Sequence, residues 1–258
     1  KATADRNRGE ENMSNPTMQS HVAALAESRA NEVWLRDRHG DEFREWTWSE
    51  AHDESCAVAA WLEKKYGKDQ VNIALLSRNR AHWVMADLAI MYSGNATVPL
   101  FTTLAVGPAE YILDFTDAKA IFVGEAENWD IVRTVLPDGI DIITLPGTSI
   151  DDAHTRWEDI LEECAGQKPE HEAHSDDLIS IVFTSGTTGV PKGVMQNHDS
   201  FLCPMKRARD FFAISEHPRF LSYLPLSHIA ERQLIIVQSI IHEGTITFNE
   251  SLQTLARD

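Results

Sequence analysis

The densest chemistry in the chain lies in Phe183-Thr184-Ser185-Gly186-Thr187-Thr188-Gly189-Val190-Pro191-Lys192-Gly193. Glycine bends through backbone conformations closed to other residues and lets a ligand approach the main chain. Serine and threonine hydroxyls donate hydrogen bonds without adding charge. Lys192 supplies a compact cation. Such a set suits a loop that wraps the phosphates of a nucleotide, where each charge-assisted hydrogen bond contributes about 1.5–3 kcal/mol. The spacing is not that of a Walker A loop, which needs Gly-x-x-x-x-Gly-Lys-Ser/Thr. Here Pro191 precedes the lysine and Gly193 follows it. A Gly/Thr-rich hairpin turn is the plain alternative for the same residues.

A second chemical element runs from Phe220 to Arg232. Its apolar run stops at Pro225 and leaves His228 at a strand-to-helix junction, where a side chain can face a cleft. A lone histidine is more often structural. His171 and His174 are three apart but lack a third ligand and an apolar setting, so they read as part of a solvated linker. Lys206, Arg207 and Arg209 add positive charge beside the loop, with a solvated helix face as the plainer reading. The stripe Phe201, Met205, Ala208 and Phe212 reads as core.

The eleven-residue loop closely resembles the signature loop of the adenylate-forming (AMP-binding) superfamily, which includes acyl-CoA synthetases, peptide-synthetase adenylation domains and luciferases. Three further stretches carry the likeness. Ser77-Arg78-Asn79-Arg80-Ala81-His82-Trp83 is similar to the family's Ser-x-Asn-x-x-x-Trp element. Gly94 to Thr103 is similar to its Gly-x-x-x-Val-Pro-Leu-x-x-Thr segment. Leu224-Pro225-Leu226-Ser227-His228 resembles the Leu-Pro-Leu-x-His element that lines the acyl pocket. Glu231-Arg232 departs from the glycine of many shorter-acid ligases and is similar to the long-chain acyl-CoA synthetase form. The resemblance covers residues 21 to 258.

The resemblance implies carboxylate attack on the α-phosphate of ATP, loss of pyrophosphate, and displacement of AMP by a thiolate, commonly that of coenzyme A. It implies that Thr184 is a hydroxyl on the Mg²⁺ side. It also implies that Ser185, Gly186, Thr187, Thr188, Gly189 and Lys192 embrace the β- and γ-phosphates, and that His228 borders the acyl group or the α-phosphate. The family's later glutamate, aspartate and lysine elements have no match here. The expectation is therefore the N-terminal part of an ATP-dependent long-chain fatty acid–CoA ligase, without a complete catalytic set and inactive alone. Its partners would be a fatty acid and the C-terminal domain of its own chain. The alternatives are an adenylation domain serving a carrier protein or a carboxylic acid reductase, and a nucleotide-binding module without catalysis.

The elements that must position these residues alternate along the chain. Buried-strand runs at 71–76, 96–100, 121–123, 142–145 and 178–182 alternate with helical patterns, which predicts an α/β fold with a mainly parallel sheet and flanking helices. Strands at 33–36 and 43–46 flank a turn, and Thr47-Trp48-Ser49-Glu50 has capping-box spacing. Helices are predicted over 21–30, 111–115, 129–135, 157–161 and from 197 onward, with Pro204 in the first turn of the last or bending it. The expected divisions are a mobile arm at 1–20, a first α/β lobe at 21–175 and a phosphate-loop lobe at 176–258. Hydrophobic residues at 43% allow a real core. A net charge of −17 excludes a general nucleic-acid surface. Cys56, Cys164 and Cys203 form no metal pattern and fit a reducing compartment. No apolar run approaches the roughly 18 residues of a membrane span. The expected location is the cytoplasm, with peripheral attachment at the inner membrane face as the variant.

In the complete parent protein, Lys192→Ala is expected to weaken ATP-dependent adenylation far more than fatty acid binding. Paired measurements of pyrophosphate release and of fatty acid affinity check this; comparable losses in both would make the lysine structural.

Overall fold

The computed structural model describes residues 16–148, 150, 154–184, 191–208 and 214–250. In chain order the elements begin with α1 (Met18–Ser28), β1 (Val33–His39), β2 (Glu42–Thr47), α2 (Trp48–Tyr66), β3 (Asn72–Leu76), α3 (Ala81–Tyr92) and β4 (Ala96–Leu100). They continue with α4 (Val106–Thr116), β5 (Ala120–Val123), α5 (Trp129–Val132), β6 (Asp141–Thr144), β7 (Thr155–Arg156) and α6 (Trp157–Cys164). The last group is β8 (Leu178–Thr184), β9 (Lys192–Asn197), α7 (His198–Ala208), β10 (Arg219–Ser222), α8 (Ile229–Glu231), a π-helical stretch (Arg232–Val237), α9 (Gln238–Ile241) and β11 (Thr245–Phe248).

Two sheets organise these elements. The larger has the order β7-β6-β5-β3-β4-β8-β9 and is parallel except for the antiparallel β8–β9 pair. Side chains alternate across a strand, and here both faces are apolar. Ile73 and Leu75 face one core with Trp83 and Leu88, while Ala74 and Leu76 face the other with Ile112 and Val132. Burial on both faces is why these strands read as continuous apolar runs. The smaller sheet, β10-β11-β1-β2, joins the first strands of the chain to the last described ones. Its β1–β11 and β10–β11 pairs are parallel. Each sheet draws strands from both sides of the boundary drawn at residue 175. Helix α3 is buried around its whole circumference, as its lack of a polar face requires.

The expected capping box is present. Thr47 Oγ1 accepts from Glu50 N (3.2 Å) and Glu50 Oε2 accepts from Thr47 N (2.8 Å). Gly67, at φ +79°, ends α2. Other bounds shift. Helix α1 starts at Met18 rather than residue 21, because Thr17 caps it and Met18 is buried. Residues 1–15 of the expected arm lie outside the described residues. Helix α4 starts at Val106, five residues before the predicted Tyr111, with Pro108 in its first turn where no N–H is missed. Strands β7 and β11 were not expected at all.

Pro204 lies inside α7, past the first turn. Proline has no N–H for the carbonyl four residues back, and Gln233 Nε2 donates to that carbonyl, Ser200 O, at 3.3 Å. The acidic connection after α6 is docked rather than free. Glu170 N and His171 N both donate to the Glu63 carboxylate (2.8 Å each), and His171 Nε2 lies 3.1 Å from Asp177 Oδ2. Gly94, at φ +74°, lets that imidazole pass; a Cβ there would sit 2.9 Å from His171 Nδ1. No cluster of three metal-ligating side chains forms among the described residues. The three cysteines are free thiols, and burial pushes Cys56 up to about 12.

His198, at the start of α7, is buried, and its Nδ1 accepts from Met18 N at 3.2 Å. Burial lowers its pKa from 6.5 to about 4, against the pull of Asp177. The unfolded chain therefore takes up this proton first as pH falls. The stabilisation is complete above pH 6.5 and is lost toward about pH 4, a span worth on the order of 3 kcal/mol. Asp37, Glu54 and Glu231 are raised by burial and act in the opposite sense. The test is thus a difference. His198→Asn keeps an acceptor for Met18 N and should flatten the fall in urea midpoint between pH 6.5 and about 4. Parallel curves for the two proteins would contradict this.

Candidate functional site

The β8–β9 ladder sets the two ends of the glycine/threonine loop side by side. Thr184 and Lys192 are direct cross-strand partners, and both are exposed. Ser185, Gly186, Thr187, Thr188 and Gly189 lie outside the described residues. Gly193 closes the hairpin for a packing reason. It pairs with Phe183, and a Cβ there would lie 2.9 Å from Ile181 Cγ2 and 3.2 Å from Phe183 Cζ. Only glycine lets β9 lie this close over β8.

His228 stands at the junction between β10 and α8, as its sequence context suggested. Its N–H donates to Pro225 O (2.9 Å), and its Nδ1 accepts from Ala230 N (3.1 Å), capping the helix that follows. Because Nδ1 accepts, the neutral ring carries its proton on Nε2 and offers a donor. The ring is exposed and borders a cleft of about 380 Å³. Pro99, Leu100 and Phe101 at the end of β4 line it, with Leu104, Pro108 and Ile112 beside them. Val182, Phe183 and Thr184 from β8, Pro191, and Ser227 to Ile229 complete the wall. Thr184 and His228, 44 positions apart by number, thus share one mainly apolar cleft at the carboxyl end of parallel strands. A larger cavity, about 500 Å³, opens beside Arg78, Gly124, Glu125 and Trp129 and touches none of the expected site residues.

The segment carrying His228 is held by residues that sequence reasoning left without a role. Glu231 Oε1 accepts from Ser222 Oγ (3.0 Å) and Tyr223 N (3.1 Å). Arg232 is fully buried. Its Nη2 donates to both oxygens of Asp87 at 2.7 Å, and its Nη1 donates to Ser180 Oγ at 2.8 Å. The guanidinium carbon lies 5.5 Å from the Trp83 ring centre and 4.8 Å from that of Phe201. Asn79 bonds three groups between Ser222 and Leu226. Asn79 and Trp83 belong to the Ser77–Trp83 element already singled out, which was the available signal.

This arrangement can bind an anionic group at the hairpin mouth, through Thr184 and Lys192, and an apolar chain along the β4–α4 wall. The chain belongs to the AMP-binding enzyme family, whose match spans residues 22–257. It is 28% identical over 213 residues to long-chain-fatty-acid–CoA ligase 6 of Mus musculus, covering 71% of this chain and 29% of that protein. The inhibitor-bound N-terminal domain of FACL13 from Mycobacterium tuberculosis superposes with a TM-score of 0.77 at 21% identity, over 93% of this chain and 59% of that one. A fatty acyl-adenylate ligase from L. pneumophila, in complex with acyl adenylate and pyrophosphate, gives 0.74 at 21% identity, over 94% and 41%. The chain spans about a third of the length of the curated relatives it matches.

Arg232→Met leaves the Asp87 carboxylate buried without its cation, which should cost about 3–5 kcal/mol. Asp87→Leu together with Arg232→Met should recover most of that. Denaturant midpoints of the two proteins check it; a double variant no more stable than the single would contradict the ion-pair account.

Proposed function

We propose that this chain is the N-terminal part of an ATP-dependent long-chain fatty acid–CoA ligase, which activates a carboxylate as its adenylate and passes the acyl group to a thiol. The observation that carries this reading is the shared cleft. The Thr184 end of the β8–β9 hairpin stands at the same apolar wall that His228 borders. The likeness to long-chain-fatty-acid–CoA ligase 6 supports the substrate class, as does the Glu231-Arg232 form of the segment.

The chain's own residues would act by positioning and electrostatics, since the first step brings an anion to a polyanion. Lys192 and the Thr184 hydroxyl would hold phosphate oxygens, with Ser185 to Gly189 completing the loop. His228 would donate Nε2–H toward the reacting carboxylate or the α-phosphate. Pro99 to Leu104 and Ile112 would exclude water and receive the acyl chain. ATP supplies the leaving pyrophosphate, and coenzyme A supplies the thiol. Mg²⁺ neutralises phosphate charge when bound; phosphate oxygens would hold most of it, with Thr184 as this chain's contribution. That donor set fits a hard cation which keeps oxygen ligands. No helix among the described residues is long and apolar enough to cross a membrane, and we place the activity in the cytoplasm, where ATP and reduced coenzyme A meet.

The complete parent protein, given ATP, Mg²⁺, palmitate and coenzyme A, should release pyrophosphate and form the thioester, with much less turnover on acetate. The 258-residue chain alone should form none. Equal turnover on acetate, or transfer only to a carrier protein, would contradict the long-chain CoA-ligase reading.

A further inference from the structure

We infer that Asn79 is the positioning residue for His228, an inference that rests on the cleft reading above. Asn79 sits between β3 and α3, and its one amide grips the chain on both sides of Pro225. Nδ2 donates to Ser222 Oγ (2.9 Å) and to Leu224 O (2.6 Å), while Oδ1 accepts from Leu226 N (2.8 Å). His228 N in turn donates to Pro225 O at 2.9 Å, so the turn that aims the imidazole is built directly on the clamped residues.

The clamp is itself fixed on both flanks. Arg78 N donates to Glu125 O (2.7 Å), and Ala81 N donates to the buried Asp37 carboxylate (2.8 Å). Arg80 Nη2 donates to Pro146 O (2.7 Å). Asn79 thus carries the rigidity of the large sheet across to the end of β10 and stands apart from the cleft wall, acting on the site through the main chain of 224–228 and through Ser222 Oγ, which in turn donates to Glu231. The chemistry requires this residue type. A planar amide offers donor and acceptor together. Aspartate keeps the acceptor for Leu226 N but turns a carboxylate toward Leu224 O. Alanine keeps neither.

The test is a double-mutant cycle in the complete parent protein, read as kcat/KM for palmitate, KM for ATP, and thermal midpoint. Displacing a catalytic group by an ångström costs up to about 100-fold, so Asn79→Ala should lower kcat/KM for palmitate by about 10- to 100-fold, with KM for ATP changed by less than about twofold. Asn79→Asp should fall between wild type and alanine. Because Asn79 acts through His228, Asn79→Ala combined with His228→Ala should be no worse than His228→Ala alone. Multiplying losses, or wild-type kcat/KM for both Asn79 variants, would overturn the inference. If Asn79→Ala does not fold, the same cycle with Asn79→Asp decides by the same criterion. Wild-type activity of His228→Ala would instead sink the cleft reading, and the clamp's role with it.

Discussion

A fully buried guanidinium is the constraint on which the rest of this structure depends. Removing a charge from water costs several kcal/mol unless partners replace the lost hydration, so the fold must deliver those partners to Arg232. Asp87 meets it from α3 with both carboxylate oxygens, and Ser180 meets it from β8. The Ser180 hydroxyl then donates to Thr97 O on β4 (2.9 Å), which leaves its lone pair facing the arginine. Trp83 and Phe201 present ring faces to the cation. One side chain therefore ties the π-helical stretch to α3, α7, β4 and β8. The strand that ends in Thr184 and the helix that begins after His228 meet at that point.

The smaller sheet does comparable work at longer range. By pairing β1 with β11 and β11 with β10, it joins strands from both ends of the described chain in one sheet. Asp37 on β1 caps α3 through Ala81 N, Trp34 stacks on Trp48 at 4.3 Å, and Trp34 Nε1 donates to Ser239 on α9 at 3.0 Å. The cleft itself lies between the ends of β4 and β8, helix α4 and the turn that carries His228.

What could be read from the sequence was whatever depends on local order. The runs Asn72–Leu76, Ala96–Leu100 and Leu178–Thr184 are strands because both faces are buried, and that leaves an unbroken apolar signature. Thr47 and Glu50 cap α2 by a contact of three residues' reach. Thr184, Lys192 and His228 were proposed from contiguous loop and motif, and the structure pairs Thr184 with Lys192 across β8–β9 and puts Thr184 and His228 on one cleft. The contacts that aim them were not. Arg232 reaches Asp87 across 145 positions and Asn79 reaches Leu226 across 147, and neither pairing leaves a trace in neighbouring residues. Strand β7 is two residues long and exists only because β6 offers an edge. The docked course of 165–177 likewise depends on Glu63, more than 100 positions away.

The most direct test of the central claim is a crystal structure of the complete parent protein with a non-hydrolysable acyl-adenylate analogue. The account predicts the acyl-phosphate linkage within hydrogen-bond reach of His228 Nε2. With pyrophosphate supplied alongside, it also predicts pyrophosphate oxygens facing Thr184 and Lys192, the acyl chain against Phe101 and Ile112, and Arg232 still paired with Asp87. An analogue bound in the cavity beside Glu125 and Trp129, with the His228 cleft empty, would contradict it.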